Sequence, residues 1–134
     1  MTNLPPEIED AEFAEYAAKW RDFILKAQAH AKTKPSDNLH MAYEHAQHGQ
    51  SYVATLHDTA DMANIFLTRA IALAVLDFKG DGLNAQEKEA LRESMVSQQR
   101  RFKDAVDHTV ADLSRQVTLV QSALKAFARM DIGK

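Results

Sequence analysis

The chain has 134 residues, 46% apolar and 26% charged, with a net charge of −3 and no cysteine. That is enough chain for one domain over 1–134 with a core of its own, and too little charge for a chain that stays unfolded. The acidic balance speaks against a general nucleic-acid binder, and the missing cysteines exclude disulfides, a thiolate nucleophile and cysteine-ligated zinc.

The helix-breaking residues group at a few places. Pro5 and Pro6 stand at the start, Pro35 in the run 32–38, Gly80 and Gly82 in the run 79–84, and Gly133 near the end; Gly49 alone falls inside a periodic stretch. The expected fold is therefore all-α. It is an antiparallel three-helix, coiled-coil-like bundle with a short N-terminal helix over 6–31 and two long helices over 37–78 and 84–130.

The first helix is expected to start at Pro6, because proline suits the first helical turn, and to be followed by acidic Glu7, Glu9, Asp10 and Glu12 at the positive end of the dipole. Phe13, Ala17, Trp20, Ile24, Ala27 and Ala31 step by four and three along one face, flanked by Tyr16 and Phe23. The aromatic content makes this helix adhesive.

The second helix is expected to be capped by Ser36 or Asp37 and to end near Phe78. Leu39, Ala46, Val53, Ala60, Leu67 and Ala74 recur every seven residues, with Ala42, Gly49, Leu56, Ala63 and Ala70 at the companion position. Most of this seam is Ala or Gly, so a neighbouring helix can approach closely. After Ala60 two further stripes begin, Met62–Phe66–Ala70–Leu73 and Ile65–Ala72–Val75, leaving the helix end apolar almost all round. Such an end needs cover on several sides, and a second chain is the expected cover.

The third helix is expected to run unbroken from Ala85 to Met130, opened by a capping box of Asn84 and Glu87. Leu91, Met95, Gln98, Phe102, Val106, Thr109, Leu113, Val117, Val120 and Leu124 follow an eleven-residue spacing with polar core positions at Gln98 and Thr109. This helix is basic and the second is acidic, so ion pairs between them are expected.

Chemistry is sparse. His40, Glu44, His45 and His48 are spaced for metal ligation from one helix, but they lie off the seam on a polar face, where bundle metals are not held. His57–Asp61 and His108–Asp112 read as surface pairs four residues apart. The run 77–87 is similar to a calcium-binding helix–loop–helix, yet Lys79 stands where an oxygen ligand is needed and the loop is one residue short. It reads instead as a turn. Arg100, Arg101 and Lys103 form a basic patch diluted by Asp104 and Asp107.

No catalytic constellation, cofactor motif or phosphate loop is present, so an enzyme is not expected. The expectation is a non-enzymatic helical interaction protein, cytoplasmic and homodimeric, that binds a protein partner as a chaperone, regulator, inhibitor or assembly component. Trp20, Phe23, Phe66, Leu73, Phe102 and Phe127 are its candidate core or interface anchors. The alternative is a metal- or small-ligand-binding bundle built on His40, Glu44, His45 and His48. Neither a cleaved leader nor a membrane span is expected: the start has no basic region followed by an apolar run, and the stretch 63–76 is short and contains Arg69.

Overall fold

The computed structural model describes residues 4–132, with side chains to Met130, so Gly133 lies outside the described residues. Among those residues the chain is all-helical, with four helices: α1 Ala11–Lys32, α2 Leu39–Asp77, α3 Ala85–Met95 and α4 Ser97–Ile132. α2 and α4 form the main packing pair, α1 lies against both, and α3 packs on the end of α2.

α1 starts five residues later than the prolines suggest. Residues 4–10 form no helix, and Asp10 is the cap, its carboxylate accepting from the N–H groups of Glu12 and Phe13 at 3.1 and 3.2 Å. The reason is Ile8. Its side chain is buried among Leu67, Ala70, Ala74, Met95 and Val96, which a helix begun at Pro6 does not provide. Burying a side chain of this size contributes about 1.5–3 kcal/mol, more than one extra helical turn returns.

α2 is capped by Asn38, which accepts from His40 and Met41, and not by Ser36 or Asp37. Most of its seam positions are buried, with Val53 and Ala60 partly so. Ala42, Ala46, Gly49, Leu56, Ala63, Leu67, Ala70 and Ala74 are buried, while Leu39 at the free end is 41% exposed. Gly49 marks a close helix crossing: a Cβ there would stand 3.0 Å from Val117 of α4.

The unbroken third helix is corrected by the structure. It divides at Val96 into α3 and α4. There the backbone turns to φ −109°, ψ 18°, and the Val96 N–H reaches back to Glu93. The Met95 carbonyl accepts from the Ile8 N–H at 2.7 Å, and Gln99 Nε2 donates to the Ile8 carbonyl at 3.3 Å. Ser94 bonds back to the Leu91 carbonyl, a habit that bends helices, and Val96 is a weak helix former. The N-terminal segment is thus clamped into the break.

The break also shifts the register of the core. Gln98, an expected core position, is exposed and donates to Glu7, while its neighbour Gln99 is buried. Beyond the break, Val106, Thr109, Leu113, Val117 and Val120 are buried as their spacing implies. The turn between α2 and α3 is held by Gly80 and Gly82 at φ 68° and 83°, by the reciprocal Asn84–Glu87 cap, and by Arg92 donating to the Phe78 carbonyl at 2.8 and 3.0 Å. The expected ion pairing between acidic and basic long helices is not found among the described residues: Arg69 turns instead to Asp10 and Glu12.

Candidate functional site

The aromatic anchors divide into two groups. Phe13, Tyr16, Trp20 and Phe23 of α1 form one ring cluster with Tyr52 and Phe66 of α2 and Phe102 of α4, with centroids 5.4–6.2 Å apart in edge or tilted contacts. Four of the six candidate anchors, Trp20, Phe23, Phe66 and Phe102, therefore join α1 to its own chain. Leu73 and Phe127 do not; they are 37% and 49% exposed. Asp10 and Glu12 fix the near end of α1 by pairing with Arg69 at 2.6 and 3.4 Å, and the Arg69 guanidinium stands 5.1 Å from the centre of the Phe66 ring. Burial pushes the Asp10 carboxyl up, but the Arg69 hydrogen bond and charge and the two backbone N–H groups outweigh it and hold the group below its ordinary value.

The helix-2 histidines do not act as one set. His40 pairs with Glu44 at 3.2 Å on the solvent side. His45 turns the other way and stacks on His30 of α1, ring centres 3.8 Å apart and planes 13° from parallel. His48 lies farther off, 6.3 Å from the His30 ring. Among the described residues no group of three or more His, Asp or Glu is placed to hold a metal ion.

The His30–His45 stack is the feature that sequence reasoning missed, because its members are 15 residues apart on different helices. His30 Nε2 donates to the His45 carbonyl at 2.9 Å. His45 Nε2 meets Gln116 Oε1 of α4 at 2.9 Å, and Gln116 Nε2 donates to the Ala31 and Thr33 carbonyls. Gln116 thus uses its N–H groups on the end of α1, so its oxygen accepts and both histidines carry their proton on Nε2. The node ties three helices together where α1 stops.

The expected pairs His57–Asp61 and His108–Asp112 are not formed; Asp112 turns to Arg115 at 3.7 Å. In the basic patch, Arg100 bonds Glu93 across the helix break at 2.6 Å and Lys103 bonds Asp107, leaving a mixed-charge surface. The run 77–87 folds as a glycine turn, with Asn84 and Glu87 satisfying each other.

The remaining candidate is the uncovered end of α2. Ile65, Ile71, Leu73, Val75 and Leu76 are 54%, 39%, 37%, 42% and 65% exposed. A groove of about 320 Å³ runs beside them, lined by Ile71, Val75 and Val96 and edged by Glu89, Arg92, Glu93 and Arg100. Among the described residues α2 is the one helix long and apolar enough to cross a membrane by length and composition, and a third of its most apolar eighteen-residue window is buried. The rest of that window is partly or fully exposed, and Ile65, Ile71, Leu73, Val75 and Leu76 are its exposed large apolar members.

Compared with protein-family models, curated proteins and solved structures, the chain matches none.

Proposed function

We propose that this protein is a non-enzymatic helical interaction module that self-associates and binds a protein partner, working as a chaperone, regulator or assembly component. α1, α2 and α4 form an antiparallel three-helix, coiled-coil-like bundle in this reading, and the second half of α2 is its contact surface. The observation that carries it is the set of large apolar side chains left exposed on α2 from Ile65 to Leu76. Contiguous apolar surface of this kind marks an interaction site, because each covered Å² returns about 25 cal/mol. The rings of the aromatic cluster are engaged within the chain and are not free to serve as a contact surface, whereas the large apolar side chains at the end of α2 are. A reducing compartment such as the cytoplasm suits a chain without cysteine.

Light scattering across a concentration series tests this. The expected mass rises from 15.0 kDa toward twice that value as concentration increases. Replacing exposed Leu76 by Glu, which leaves the core untouched, is expected to hold the chain monomeric with an unchanged helical spectrum. A mass that stays at 15.0 kDa throughout overturns the reading.

A further inference from the structure

α2 carries a second seam on the side away from its core. Asp61, Ile65, Thr68, Ala72 and Val75 step 4-3-4-3 along the helix, and Lys79 follows four residues on, two past the end of α2. At 100° per residue the helical members lie opposite Ala63, Ala70 and Ala74, which are buried. All six are exposed. The stepping is that of the a and d positions of a heptad, and in an antiparallel pair of helices each a faces a d of the other.

This seam is symmetric about position 70. Ile65 and Val75, Thr68 and Ala72, Asp61 and Lys79 are each equidistant from it. We propose that a second copy of this chain docks antiparallel along the seam, related by a two-fold axis at the level of Ala70. Ile65 packs on the partner's Val75, Thr68 on the partner's Ala72, and Asp61 meets the partner's Lys79. The inference rests on the self-association reading and names its partner and register.

Charge selects this arrangement. Asp61 closes one end of the seam and Lys79, just past the cap residue Phe78, closes the other. Neither makes an ion pair within its own chain among the described residues. Antiparallel docking sets each against its opposite, twice by symmetry. Parallel docking sets like against like at both ends. The small pair Thr68 and Ala72 lies nearest the axis, where the helices approach most closely, with the larger Ile65 and Val75 outside it. The helical part of the seam, Asp61 to Val75, spans about 21 Å.

The test combines charge reversal with cross-linking, both in the full chain. Asp61→Lys and Lys79→Asp are each expected to weaken the dimer about tenfold in sedimentation equilibrium, and the double variant to restore it. Because the chain has no cysteine, introduced thiols are unambiguous. An equimolar mixture of Ile65→Cys and Val75→Cys is expected to form a covalent heterodimer on oxidation. Either variant alone is expected not to, since its two thiols stand about 15 Å apart in this register, beyond disulfide reach. A dimer indifferent to both charge variants, or one that cross-links through a single variant, overturns the register while self-association stands. A wild-type mass of 15.0 kDa at every concentration overturns both.

Discussion

Thr59 is fully enclosed in α2, and its hydroxyl finds no hydrogen-bond partner among the described residues. A buried hydroxyl left unpaired costs free energy that an apolar group of the same shape does not. Thr59→Val is therefore expected to raise stability by about 1 kcal/mol, read from the urea midpoint. The His30–His45 stack works in the opposite sense, as a satisfied contact sensitive to protons. Burial pushes the His30 ring below its ordinary value; the His45 carbonyl bond partly offsets this, and charge on His45 and His48 pushes it further down. Facing it are His45, His48 and Tyr52 from α2, with Gln116 of α4 bonded to His45. The unfolded chain therefore takes up this proton at a higher pH than the folded one. This contribution to stability is complete above the ordinary imidazole value of about 6.5, and it is lost as pH falls from there through the lower folded value. Urea midpoints measured from pH 8 to 5 are expected to drop, and His30→Gln is expected to reduce that drop.

Among the elements, α1 depends on its first residue. Asp10 caps the helix and also holds Arg69 of α2, so one carboxylate both starts α1 and docks it. Asp10→Ala is expected to cost about 1–2 kcal/mol in chemical denaturation. Because this group is depressed in the folded state, its contribution is present above the ordinary carboxylate range and lost as pH falls through the folded value, a window well below that of His30. The break between α3 and α4 belongs to the same scale. It accommodates Ile8, whose N–H takes the Met95 carbonyl and whose side chain fills the space between α2 and the break. Ile8→Ala is expected to destabilise by about 2–4 kcal/mol, the cost of a buried cavity.

At the scale of the whole molecule, cover is uneven. The interior is deepest where α1, α2 and α4 meet around Leu56, Val106 and Leu113, all fully buried. Past Lys32, where α1 ends, α2 and α4 continue with a thin core of Ala42, Ala46 and Val120. Leu119, Phe127 and Met130 are 65%, 49% and 65% exposed there. Hydrogen exchange is expected to be slowest around Leu56 and Leu113 and fastest over 39–44 and 124–132, because local opening follows the apolar surface that must be uncovered. Uniform protection along α2 and α4 would contradict this.

Helix content, the seam of α2, the α2–α3 turn and the core spacing of α4 beyond Phe102 were all legible in the chain, because each rests on interactions between residues a few positions apart. Periodicity, glycine at positive φ and the Asn84–Glu87 cap are local physics. What tertiary structure alone decided are the contacts whose members lie far apart in sequence: Ile8 in the break at Val96, Arg69 drawn to Asp10, Gln99 inward in place of Gln98, and His30 stacked on His45. In each case a distant side chain or backbone group outweighs a local preference of about 1 kcal/mol or less, and spacing carries no information about which distant group that will be.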